Sequence, residues 1–179
     1  MEIVRLNRGN LADINTPNEP FAIIGRLKPS FTDGKWSWTE ELYDRTALKR
    51  YPNDDCNYAA YLDNPDKAIF LAYADGKCAG QIVLRKDWNR YAFIEDICVS
   101  ASYRGNGIGT ALIQKAVQWA KEKGLCGLAL ETQDNNLLAC RFYAKCGFSV
   151  GAVNTMLYKN FEKPWSDETA IFWYMKFSP

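Results

Sequence analysis

The sequence predicts a mixed α/β sheet, on three observations. Residues 67–99 read as an antiparallel meander of short apolar strands joined by tight turns. Beyond residue 100 the hydrophobic spacing lengthens to three and four, and strand alternates with helix before a last pair of strands. No repeat, low-complexity tract or linker-like run of Gly, Ser or Pro interrupts the chain. With 47% of its 179 residues hydrophobic, it can bury a real core as one domain.

The elements follow in order. FAIIGRLKPSFTDGKWSWTEEL (21–42) gives two extended runs that reverse at Asp33-Gly34. DDCNYAAYLDN (54–64) reads as a short helix opening near Asp54 and ending before Pro65. Strands are expected at 67–74, 77–85 and 90–99, turning at Asp75-Gly76 and near Trp88-Asn89. Ile108, Leu112, Ala116, Trp119 and Ala120 mark one face of a helix that stops at Gly124. CGLALET (126–132) is almost wholly apolar, as a central strand buried on both faces requires. A second helix runs from about Asn136 to Cys146, stopped by Gly147, and strands near 148–158 and 169–177 close the chain.

Composition excludes several functions. A net charge of +1 lacks the basic excess of a nucleic-acid binder, and no apolar run approaches the ~20 residues of a membrane span. The N-terminus has no secretory pattern, so a cytoplasmic protein without nucleic-acid or membrane partners is expected. Six cysteines without a C-x-x-C pair read mostly as core thiols. Histidine is absent, which removes Ser-His-Asp and Cys-His catalysis and imidazole zinc sites; no metal is expected. Any general base must be a carboxylate, a tyrosine, an amine or a water held by one of them.

The segment EDICVSASYRGNGIGTALIQKAVQWA (95–120) concentrates the chemistry. Gly105, Gly107 and Gly109 open a helix whose first backbone N–H groups have no partner inside it. Bare glycines let an anion approach those donors, and the positive end of the helix dipole favours it. Arg104 offers a fork for phosphate oxygens. The segment is no P-loop, because Gly-x-x-x-x-Gly-Lys-Ser/Thr is missing. A dinucleotide turn fails too, since Thr110 stands where the third glycine belongs and several strands precede the turn.

The pattern Arg104-x-x-Gly107-x-Gly109 matches the acyl-CoA loop Gln/Arg-x-x-Gly-x-Gly/Ala. GLALETQDNNLLACRFYAKCGF (127–148) adds a strand, an Asn-x-x-Ala helix start and Phe-Tyr-x-Lys-x-Gly-Phe. In both blocks the chain resembles the GCN5-related N-acetyltransferases (GNAT). WNRYAFIEDICV (88–99) and VNTMLYKN (153–160) further resemble segments of the streptothricin (nourseothricin) acetyltransferases, antibiotic-resistance enzymes of that superfamily. The resemblance implies a GNAT fold: a central, mostly antiparallel sheet with a parallel, splayed strand pair and flanking helices. Residues 1–179 would form one N-acetyltransferase domain, with its acetyl-CoA part at about 67–177 and a substrate side in 1–66.

The resemblance also implies roles. Acetyl-CoA is the co-substrate, its pantetheine lying in a wedge between strands 93–99 and 126–131, against the backbone of Ile97, Cys98 and Val99. Its diphosphate would meet Arg104, Gly105, Asn106, Gly107, Ile108, Gly109 and Thr110, and Asn136 would hold a pantetheine amide. Tyr143 occupies the position of the family's general acid, which protonates the leaving thiolate. For the base, Glu95 matches related antibiotic acetyltransferases and Glu131 matches protein-acetylating ones; the order of preference is Glu95, Glu131, Asp96. Asp96 could instead anchor the substrate ammonium, and Trp88 and Tyr158 are the further substrate contacts. The substrate would be a small cationic amine, streptothricin on its β-lysine amine, handled by a monomer or homodimer. Eight acidic against four basic residues between Asp33 and Asp66, with Trp36, Trp38 and Tyr43 among them, suit a cation. Another polyamine, an aminoglycoside or a protein amine is the alternative acceptor. A non-catalytic acyl-CoA sensor is the alternative from a different class.

Overall fold

A computed structural model describes residues 1–178. The chain forms two compact units, the first built from Met1–Phe21, Arg50–Leu128 and the residues from Phe177 onward, the second from Ala22–Lys49 and Ala129–Lys176.

In the first unit, β1 (Glu2–Arg5), β4 (Lys67–Ala74), β5 (Lys77–Lys86) and β6 (Tyr91–Val99) pair antiparallel in the order β1-β4-β5-β6. β4 and β5 turn through Asp75 and Gly76, both at positive φ, as a two-residue hairpin turn demands. β4 is buried on both faces, so its apolar residues run on without a polar alternate. Ile69 and Leu71 join Leu6, Tyr61 and Val83 in a core closed by Val4, Leu11, Ile14 and Tyr58. Burying each such aliphatic side chain is worth about 1.5–3 kcal/mol. Helix α1 (Ile108–Glu122) packs on β4, β5 and β6 through Ile108, Leu112, Ile113, Ala116, Trp119 and Ala120. Gly80 permits the approach: a β-carbon there would sit 3.0 Å from Ile108 Cγ2 and 3.2 Å from Leu112 Cδ1. The helix ends as expected, with Gly124 at a φ of 65°.

In the second unit, β2 (Phe21–Thr32, whose first residue belongs to the first unit) and β3 (Lys35–Lys49) form a long hairpin. Its turn is Asp33-Gly34, both at positive φ. β7 (Gly127–Gln133, whose first two residues belong to the first unit), β9 (Ala170–Lys176) and β8 (Ser149–Asn154) neighbour one another in that order, and α2 (Leu137–Lys145) follows β7. Trp173 is fully buried and centres an aromatic group with Trp38, edge-on at 5.6 Å, and Tyr143 at 6.3 Å.

Three expectations need correction. The helix at 54–64 is only a 3-10 turn at Tyr58–Tyr61, capped by Asn57 and not by Asp54. The strand near 148–158 stops at Asn154, whose side chain accepts a hydrogen bond from the Met156 N–H and starts a loop holding Tyr158. Of the six cysteines only Cys140 is buried; four are half-buried and Cys56 is exposed.

Candidate active site

The glycine turn belongs to the first unit. Gly105 and Gly107 hold φ of 82° and 83°, which an L side chain adopts only under strain. Gly107 is the N-cap of α1 and supplies no side-chain cap, so the N–H groups of Ile108, Gly109 and Thr110 have no intrahelical partner. A β-carbon on Gly105 or Gly107 would meet nothing within 4 Å. Exposed donors, open space and the positive helix end fit a diphosphate. Gly109 lies inside α1 without a positive φ, so backbone conformation does not account for it.

Arg104 behaves differently from expectation. Its Nε donates to the Val99 carbonyl at 2.8 Å, and its two terminal nitrogens donate to Pro20 at 2.8 Å and Glu19 at 3.1 Å. The Glu19 carboxylate in turn accepts from the Ala101 N–H at 3.0 Å. The guanidinium fork therefore fastens the chain at 19–20 to the glycine turn. Asn106 is exposed beside it.

On β6 the register slips. Val83 pairs with Asp96 and Leu84 with Ile94, which leaves Glu95 as the extra residue of a β-bulge. Through the bulge the regular two-residue alternation of side chains along β6 is broken. Both oxygens of Glu95 are engaged: the Tyr61 hydroxyl donates to one at 2.6 Å, and Arg85 Nε lies 3.1 Å from the other. Arg85 also grips Asp87 at 2.6 Å. Asp96 accepts from Gln81 Nε2 at 2.6 Å, and Gln81, fully buried, is itself held by the Asn15 backbone N–H at 2.7 Å. Burial pushes the Asp96 carboxyl up, with the Gln81 bond opposing. Ile97, Cys98 and Val99 are half-buried, and Trp88 is 91% exposed at the β5–β6 turn.

The second unit holds four of the predicted residues: Glu131, Asn136, Tyr143 and Tyr158. Glu131 lies on β7 and accepts from the Tyr158 hydroxyl at 2.7 Å; Gln133 Nε2 donates to that hydroxyl at 2.9 Å. Among the described residues no hydrogen bond reaches the other Glu131 oxygen, Oε2. Burial raises the Glu131 carboxyl above the ordinary range; the Tyr158 bond and Lys49 oppose the shift, and Glu168 adds to it. Tyr158, expected as a substrate contact, is thus also a partner of Glu131. Tyr143 is buried in α2, its ring against Phe142, Phe148 and Trp173. Asn136 caps α2, its side-chain oxygen accepting from the Ala139 N–H at 3.3 Å. Two of the hairpin's carboxylates are paired within the unit: Glu40 with Arg141 and Glu41 with Lys28. Sequence reading also missed a buried ion pair, Lys49 with Glu168 at 2.5 Å. The partners are 119 positions apart, and nothing local in the sequence announces them.

These observations converge on an acyl-CoA enzyme, and comparison with known proteins agrees. Residues 31–148 match the acetyltransferase (GNAT) family model, and the chain belongs to that family. It is 50% identical to streptothricin acetyltransferase A of Bacillus subtilis (strain 168), over 98% of this chain and 99% of that one. Against the streptothricin acetyltransferase of Escherichia coli it is 41% identical, over 70% of this chain and 68% of that one. A solved structure of a Bacillus anthracis protein described as a streptothricin acetyltransferase, in complex with acetyl coenzyme A, superposes with a TM-score of 0.91. That match has 38% identity and covers 98% of this chain and 99% of that one. The chain is an N-acetyltransferase with the mixed α/β fold of its family, and acetyl-CoA is its co-substrate.

Proposed function

We propose that the chain acetylates a primary amine of streptothricin, the β-lysine amine, and thereby confers resistance to that antibiotic. The observation that carries the reading is the 50% identity, over essentially the whole of both chains, to an enzyme named for this substrate. Acetylation removes a positive charge from a polycationic drug, a chemically sufficient route to detoxification.

Each unit supplies different work. In the first, the N–H groups of Ile108, Gly109 and Thr110 bind the diphosphate, and the backbone of Ile97, Cys98 and Val99 pairs with the pantetheine arm. Arg104 holds the turn in shape. In the second, Glu131 takes the amine proton and Tyr143 returns one to the departing thiolate. An amine of pKa near 10.4 is almost wholly protonated at neutral pH. A base lifted above the ordinary carboxylate range removes its proton more readily. Among the described residues Glu131 Oε2 accepts no hydrogen bond, whereas both oxygens of Glu95 are engaged and half-buried Asp96 is bonded to Gln81. The order of preference for the base becomes Glu131, Glu95, Asp96.

The test is acetyl-CoA with a panel of amines headed by streptothricin, read by thiol release and by mass spectrometry of the product. Acetylated streptothricin at the β-lysine amine is the expected result. Turnover confined to a peptide or an aminoglycoside would overturn the substrate assignment.

A further inference from the structure

The ion pair at the end of the hairpin has no role in the mechanism above, and its construction is unusual. Lys49 is the last residue of β3, and Glu168 follows the 3-10 turn at Trp165–Asp167. Their side chains are only 10% and 3% exposed. The Lys49 ammonium lies over the Trp165 ring at 4.0 Å. Asn135, between β7 and α2, donates to the same Glu168 oxygen at 3.0 Å. The remaining Glu168 oxygen, Oε2, and the Asn135 side-chain oxygen are both buried and unpartnered among the described residues. Two mutual hydrogen bonds between Asp134 and Thr169 lock the end of β7 to the segment carrying Glu168.

A buried ion pair with an unsatisfied acceptor contributes little to stability alone; apolar replacements of such pairs are often neutral or stabilising. Its location suggests a different use. The groups that act electrostatically on Glu131 are Tyr158, Glu168 and Lys49, with the Cys140 thiol close enough to feel Glu131 in return. Asp134, beside Arg26 at 3.4 Å, completes the charged groups around the pair. Lys49 and Glu168 push on Glu131 in opposite directions, so together they present it with almost no net charge. We propose that the Lys49–Glu168 pair is a positioning unit for acetyl transfer, keeping the surroundings of Glu131 electrically neutral while Glu131 exchanges protons during turnover.

The inference rests on Glu131 being the base, and the experiment separates the two. Glu168→Gln, Lys49→Met and the double variant are compared by titrating the Glu131 side-chain carboxyl by NMR and by kcat/KM against pH. Glu168→Gln leaves a cation beside Glu131 and lowers its midpoint; Lys49→Met leaves an anion and raises it. A shift of about half a unit to one unit is expected, a three- to tenfold change in proton affinity. The double variant, with no charge left to bury, returns the midpoint to within about 0.3 unit of the native one. If Lys49→Met fails to fold, a lowered midpoint in Glu168→Gln beside a native one in the double variant still supports the proposal. Midpoints that stay put, or that move in the same direction in both single variants, overturn it while leaving Glu131 as base. A Glu131→Gln enzyme that keeps the native acid limb overturns both.

Discussion

Glu95 in the first unit and Glu131 in the second make an instructive pair. Each sits on a strand and each accepts a tyrosine hydroxyl, from Tyr61 at 2.6 Å and from Tyr158 at 2.7 Å. They part company at the second oxygen. On Glu95 it faces the Arg85 guanidinium, which binds Asp87 as well, so the negative charge is matched by a fixed cation and tied into the β5–β6 turn. On Glu131 no hydrogen bond among the described residues holds it, and burial disfavours the charge. A carboxylate matched by a cation serves as a brace, whereas one that neutral groups and burial surround can take and release a proton. Under the proposed function the two units repeat that contrast: the first would bind through backbone donors and braced side chains, the second would transfer protons.

The largest expected effect breaks the comparison directly. Glu131→Gln lowers kcat by on the order of 10²–10⁴-fold, the usual loss when a general base is removed. Glu95→Gln stays within a few-fold of native. Because burial raises Glu131, the native acid limb lies above the ~4.3 of an ordinary glutamate, and activity falls as pH drops through it and the base is protonated. That limb vanishes in Glu131→Gln. Steady-state thiol release across pH checks both; a reversed ranking would return the base to β6.

Tyr143→Phe tests the other proton of the second unit. The ring stays in its contacts with Phe148 and Trp173, so only the hydroxyl is lost. A fall in kcat of about 10²-fold is expected, with acetyl-CoA affinity unchanged by calorimetry. Normal turnover would remove Tyr143 from the mechanism.

The first unit should respond in binding and not in chemistry. Gly109→Val places a side chain in the first turn of α1 without a positive φ to strain, so weaker acetyl-CoA binding, about tenfold, is expected in a normally folded protein. Gly107→Val is the poorer experiment, because a φ of 83° makes any side chain there cost about 1–2 kcal/mol in the backbone alone. Unchanged affinity in Gly109→Val would remove the diphosphate from this turn.

Much of this is legible in the sequence, and the limits have physical causes. The meander, both helices and their glycine stops are local matters of periodicity and turn chemistry, and they stand where expected to within a residue or two. The glycine turn declares itself because left-handed residues at a helix start need glycine. Side-chain partners do not, because they depend on chain brought together from afar. Arg104 has the form of a phosphate fork, yet Glu19 and Pro20, more than 80 positions away, hold it. Glu95 reads as a base through the likeness to antibiotic acetyltransferases, and a local motif carries no sign of the bulge, Tyr61 or Arg85 around it. Tyr158 falls in a strand-like run, yet the loop begun by Asn154 delivers it to Glu131.

The smallest effect sharpens the comparison most. Tyr61→Phe removes one hydroxyl from a buried ring and leaves Glu95 with Arg85 and access to water. A hydrogen bond to a charged acceptor is worth about 1.5–3 kcal/mol, but Glu95 is a quarter exposed and screening reduces this to about 1 kcal/mol. For a chain of this length that corresponds to a fall in Tm of about 2–4 °C. If Glu95 is a brace, the loss shows as stability, with kcat and its pH profile unmoved. The matching change in the second unit, Tyr158→Phe, frees the Glu131 carboxylate from a donor that favours its charged form, so its midpoint and the acid limb move upward. Calorimetric melting and the pH profile of the two tyrosine variants therefore give opposite patterns. A shifted acid limb in Tyr61→Phe, with none in Tyr158→Phe, would mean that the roles of the two carboxylates have been assigned the wrong way round.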